Sequence, residues 1–224
     1  QTLLTRVSVF FMLDKEAEVI ADCLRVIELD ESNHLAWFLM AKAKRTTGDQ
    51  LGAIADLTKA IALKDDFTDA YLLRAEVLLA MKQGQEALPD IEKAISLAPE
   101  EETTYLVRGK IHESLGDLDV AADDYQQALD LNPFNEDACI LKGSLLITKN
   151  LLDEAIVFFD EAIEIKPDFA KAYAERGRAK NLKGDKEGAF EDLKKSIELN
   201  PEGEEAKKFE GQHANFENKT YMPF

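Results

Sequence analysis

Residues 102–135 read ETTYLVRGKIHESLGDLDVAADDYQQALDLNPFN, and sequence close to this recurs on both sides of it at a fixed step. Pro99, Pro133, Pro167 and Pro201 stand 34 residues apart. Ala60, Ala94, Ala128 and Ala162 keep that step, with Ser196 next, and Ala53, Ala87, Ala121, Ala155 and Ala189 form a second ladder. Self-similarity at a period of about 20–50 residues marks a chain built by stacking one small unit, and it outranks any reading of single residues.

Within the quoted stretch, Tyr105, Arg108, Gly109, His112 and Leu115 follow three-and-four spacing, which predicts an amphipathic helix. Gly116-Asp117 interrupts it, then Val120, Ala121, Tyr125, Ala128 and Leu131 restart the pattern. Asn132-Pro133 ends it, because proline lacks the amide donor and restricts the residue before it. Each unit is therefore expected to be a helix-turn-helix pair. Phased on the prolines, the repeats are 34–67, 68–101, 102–135, 136–169 and 170–203, with 1–33 a sixth that lacks its first residue. Small residues recur on first helices (Ala41, Ala75, Gly109, Gly143, Gly177), where two helix backbones must approach closely. Leu57, Ile91, Tyr125, Phe159 and Leu193 would fill the space beside each crossing.

These residues resemble the tetratricopeptide repeat family. Trp37, Tyr71, Tyr105, Cys139 and Tyr173 occupy its aromatic slot, and the resemblance covers residues 1–203. It implies an all-α, right-handed superhelical solenoid of about six helix-turn-helix repeats. Departures are Met40, Arg74, Arg108, Lys142 and Arg176 where the family usually has leucine, and Val7, Val19 and Val26 at small slots of the first unit, which is expected to pack more loosely or to serve as an N-terminal end piece. After Gly203 the register fails. Residues 204–212 are expected to form a capping helix, and 213–224 an irregular tail whose Phe216, Tyr221, Met222 and Phe224 could fold back as a mimic of the ligand.

The chain is 46% hydrophobic and 32% charged, enough apolar residue for a continuous core. Its formal charge of −17 repels phosphate backbones and anionic lipid, so nucleic acid is not an expected partner. No apolar run approaches the roughly 18–20 residues of a membrane helix, so no membrane insertion is expected. Cys23 and Cys139 fall in apolar helical slots and read as small core residues, which leaves the compartment open. His34, His112 and His213 stand at different phases, and no phosphate loop, metal motif or nucleophile motif occurs, so neither catalysis nor a cofactor is expected.

Two charged sets share phases: Arg74, Arg108 and Arg176 on first helices, and Asp56, Asp90, Asp124 and Asp192 on second helices. Bidentate pairing is expected, within a repeat or to the preceding one. The family resemblance implies a binding surface on the inner, concave face, lined by first helices. There one slot gives Leu4, Phe38, Leu72, Leu106, Ile140 and Ala174 in order. Exposed together, these would make an apolar stripe of the kind that marks a binding site; burial in the core is the alternative. Lys42, Arg45, Lys110 and Arg178 stand beside it, with Glu76 and Glu113 between. The lysine–asparagine clamp of co-chaperone members is not matched, since Ser8, Lys42, Glu76, Lys110, Ser144 and Arg178 occupy its second slot. The expected function is a non-catalytic scaffold for a protein or peptide with apolar anchors, held by Phe38, Lys42, Arg45, Leu72, Leu106, Lys110, Ile140 and Arg178. The alternative is self-assembly through end repeats or the tail, and the oligomeric state stays open.

Overall fold

Helix starts repeat with the sequence period. In the computed structural model, which describes residues 2–203, first helices begin at His34, Thr68, Glu102, Glu136 and Ala170, each 34 residues after the last. Second helices begin at Glu16, Gln50, Gly84, Leu118, Leu152 and Lys186 with the same step. The pairs are α1 (Thr2–Met12) with α2 (Glu16–Leu29), α3 (His34–Thr46) with α4 (Gln50–Leu63), and α5 (Thr68–Ala80) with α6 (Gly84–Leu97). They continue as α7 (Glu102–Leu115) with α8 (Leu118–Leu131), α9 (Glu136–Thr148) with α10 (Leu152–Ile165), and α11 (Ala170–Lys183) with α12 (Lys186–Leu199). No strand occurs among the described residues, so the fold is all-α. The capping helix expected at 204–212 and the tail at 213–224 lie outside the described residues.

The turn inside every pair uses one left-handed residue at one slot: Asp14, Gly48, Lys82, Gly116, Asn150 and Gly184, with φ between 50° and 96°. Glycine adopts that conformation without penalty, which accounts for three of the six. Side-chain caps start several helices. Asn33 accepts from the Ala36 amide, Asp49 from Gly52, Asn135 from Ala138 and Asp185 from Gly188.

The described residues fall into two compact units, divided between Gln127 and Ala128. In the first, Leu57 and Ile91 are fully buried beside Ala41 and Ala75, and Tyr125 is fully buried against Gly109. A Cβ at Gly109 would stand 2.4 Å from the Tyr125 ring. Glycine is thus required where the facing second-helix residue is aromatic, and alanine suffices where it is aliphatic. Of the first repeat's three valines at small slots, Val7 and Val19 are fully buried like their alanine counterparts, while Val26 is 9% exposed where the alanines of its slot are fully buried. In the second unit Phe159 is fully buried, and a Cβ at Gly143 would stand 2.5 Å from its ring.

The arginine–aspartate pairing is settled in favour of the same repeat. Arg74 binds Asp90 through Nε and Nη2, both at 2.6 Å, and Arg108 and Arg176 grip Asp124 and Asp192 with the same fork. Arg6 pairs with Asp22 in the same way. The preceding repeat supplies only second contacts: Thr58 Oγ1 to Arg74 at 2.9 Å and Asp160 to Arg176 at 2.6 Å. Where Met40 replaces the arginine, Lys44 Nζ reaches Asp56 at 2.7 Å. Where Lys142 and Phe158 replace both partners, the ammonium lies 4.9 Å from the ring centroid, so a cation–π contact stands in for the ion pair.

Candidate functional site

In the first unit, one face of α3 and one face of α5 meet in a shallow, open hollow of about 360 Å³. Four of the residues singled out from sequence line it: Phe38, Lys42 and Arg45 from α3, and Leu72 from α5. Their spacing explains this, since positions four and seven apart share a helix face. Asp69, Leu73 and Glu76 complete the lining; the sequence reading placed Glu76 there but missed Asp69 and Leu73, which sit one turn before Leu72 and directly after it.

The floor is apolar and fixed. Phe38 packs on Phe67 with ring centroids 4.9 Å apart and planes at 51°, and Leu73 is buried. The cations are already engaged. Arg45 is ion-paired with Glu76, and Lys42 Nζ lies 5.4 Å from the centroid of Phe11 on α1. Charge at this rim is therefore alternating rather than simply positive, with Asp69 exposed beside it. Such a rim can meet either sign on a partner, while the floor offers one apolar anchor point.

The other residues fall differently. Lys110 is exposed on α7, whereas Leu106 is only 7% exposed. In the second unit Arg178 is exposed and bonded to Glu175 at 3.1 Å, and Ile140 is 1% exposed. The expected continuous apolar stripe is therefore corrected: Phe38 and Leu72 are half-exposed, but Leu106 and Ile140 lie in the interior. The reason for Ile140 is visible in α9, where Ala138, Cys139, Ile140, Gly143, Leu145, Leu146 and Ile147 are all buried. Glu136, Asp137, Lys142, Ser144 and Thr148 keep a polar side to the helix, but its apolar face is wide enough to take Ile140 inside.

No group of three or more histidine, cysteine or carboxylate side chains that could hold a metal occurs among the described residues. Burial pushes the Cys23 thiol up to about 12 and the Cys139 thiol to about 11, so both are un-ionised at neutral pH. No helix among the described residues is long and apolar enough to cross a membrane.

No curated protein matches the chain. Among solved structures, PilW, described as a widely conserved type IV pilus biogenesis factor, superposes with a TM-score of 0.85 at 16% identity, covering 93% of this chain and 96% of PilW. MamA gives 0.63 at 26% identity over 71% of this chain and 94% of its own. YrrB, described as a TPR protein with an unusual peptide-binding site, gives 0.61 at 24% identity over 84% and 97%. Models of the tetratricopeptide repeat match residues 106–168, and residues 68–101 and 170–202, together more than half of the chain. Proteins built of these repeats are typically protein-interaction scaffolds and generally non-catalytic. With its 34-residue step, its paired helices and these matches, the chain belongs to the tetratricopeptide repeat family.

Proposed function

We propose that this protein is a non-catalytic scaffold that binds a protein or peptide through the first-helix face, which in this family is the inner, concave one. The observation that carries the reading is the hollow between α3 and α5, where Phe38 and Leu72 stay half-exposed between charged neighbours. Half-exposed apolar side chains over a rigid floor suit the apolar anchor of an amphipathic helix or an extended peptide. Lys42, Arg45 and Glu76 orient the flanking charges of that peptide and contribute more to selectivity than to affinity. Lys110 and Arg178, exposed on their own first helices, steer acidic groups, while Leu106 and Ile140 support the face from within.

The test compares partners recovered by the wild type and by a Phe38→Glu/Leu72→Glu variant, with circular dichroism verifying that both are folded. The expected result is loss of at least one partner from the variant alone. Equal recovery of every partner by both proteins would refute the assignment.

A further inference from the structure

The first helices carry an aromatic ring at one slot, as Trp37, Tyr71, Tyr105 and Tyr173, but α9 has Cys139 there. Three repeats show what the ring does. Trp37 Nε1 donates to the Glu31 carbonyl at 3.1 Å, Tyr105 Oη to that of Pro99 at 3.0 Å, and Tyr173 Oη to that of Pro167 at 3.2 Å. On its other side the Trp37 ring lies 6.0 Å from Lys59 Nζ, which itself reaches Glu31 at 3.3 Å. The ring thus fills the space between the turn before its helix and the second helix of its own repeat.

In the second unit, the counterparts of Glu31 and Lys59 are Pro133 and Glu161. The thiol of Cys139 is too short to bridge them and is itself buried. Between them lies a hollow of about 630 Å³, lined by Pro133, Phe134, Glu161, Glu164 and Ile165. Two more departures from the repeat pattern fall on this same hollow. Phe134 is 77% exposed at a slot that elsewhere holds Ser32, Asp66, Glu100 and Asp168. Glu161 stands where the other repeats have Arg25, Lys59, Lys93 and Lys195, or the neutral Gln127. So an exposed ring is gained and a cation becomes an anion on this hollow, in the repeat that also lacks the internal ring. The next residue after Ile165, Lys166, is held 3.3 Å from Glu136 and 4.9 Å from the Phe169 centroid.

We propose that this hollow binds a protein segment presenting a tryptophan or tyrosine side chain next to a lysine or arginine. The incoming ring takes the place that Tyr105 and Tyr173 fill in their repeats, and its N–H or O–H donates to the Pro133 carbonyl. Phe134 supplies the aromatic wall, and Glu161 and Glu164 meet the cation. Exposed ion pairs add little free energy, so the ring carries the affinity and the carboxylates select the neighbour. This site is separate from the α3–α5 hollow and does not depend on it.

The test titrates the full chain with N-acetyl-Lys-Trp-Lys-amide, following backbone amide NMR shifts of Phe134, Glu161 and Ile165. Saturable shifts at these amides are expected, and they should persist in the Phe38→Glu/Leu72→Glu variant. Cys139→Tyr restores the internal ring without changing charge and should weaken binding at least about tenfold, as expected for losing a central anchor. Glu161→Lys replaces the attraction by a like charge, so it should weaken binding measurably though by a smaller factor, and it keeps the test decisive if the tyrosine variant does not fold. N-acetyl-Lys-Ala-Lys-amide and N-acetyl-Glu-Trp-Glu-amide should each bind much more weakly. Equal binding of the alanine peptide, undiminished binding by a folded Cys139→Tyr or Glu161→Lys protein, or shifts confined to other residues would overturn the proposal.

Discussion

At Asp192 two effects oppose one another. Burial pushes the carboxyl pKa up, but hydrogen bonds from Arg176 and Lys180 outweigh it, so the group titrates below the usual carboxylate range. Asp22 is lowered chiefly by its bond from Arg6. Asp56 occupies the same slot with only Lys44 beside it, and there burial wins and raises the pKa. The signs follow. A lowered folded-state value means stability that is present above the unfolded value near 4 and is lost as pH falls through the folded value. Asp56 acts in reverse, since its protonation favours the fold as pH falls. Asp192→Asn should therefore flatten the dependence of the urea midpoint on pH below about 5. Wild-type and variant curves that stay parallel down to pH 2 would contradict this. The existence of these pairs was legible in the spacing, but their partners were not. Equal steps on both helices fit pairing within a repeat or across repeats, and only the three-dimensional reach of the guanidinium decides. Arg6 escaped notice because its repeat departs from the pattern at so many other slots.

At the scale of the helix, the crossing residue and the side chain facing it vary together in four repeats, while Gly177 beside Leu193 is set by the Ala189 carbonyl 3.1 Å from where its Cβ would stand. Ala41 faces Leu57 and Ala75 faces Ile91, whereas Gly109 faces Tyr125 and Gly143 faces Phe159. Gly143→Ala should cost about 1–3 kcal/mol, as over-packing of a rigid core does. Adding Phe159→Leu, which recreates the Ala41–Leu57 arrangement, should recover part of that loss in a double-mutant cycle read by thermal unfolding. Additive penalties would mean that the ring and the glycine are not coupled. Helix positions were legible because the punctuation is local: a left-handed turn residue, a cap and a proline mark the ends. Depth was not. Three-and-four spacing shows which face recurs, yet Phe38 and Ile140 hold one slot and differ in exposure, because the buried face of α9 is wide enough to take in Ile140. The aromatic slot carried a further signal, since Cys139 was visible as its one non-aromatic member after Leu3 of the first repeat.

For the molecule as a whole, a long acidic chain repeats one helical hairpin, and in the proposed function it offers its partners surface rather than chemistry. With a formal charge of −17, exposed lysines and arginines are the minority, and those at the α3–α5 hollow are engaged by Glu76 and Phe11. A partner bound as proposed would compete with these internal contacts for the rim and meet the partly exposed Phe38 and Leu72 on the floor. Binding there should order α3 and α5 before any other helix. The most direct measurement is amide hydrogen exchange of the chain alone and with a partner recovered by the wild type and lost by the Phe38→Glu/Leu72→Glu variant. The account predicts new protection concentrated in residues 38–45 and 69–76; protection confined to the second helices, with those two segments unchanged, would contradict it.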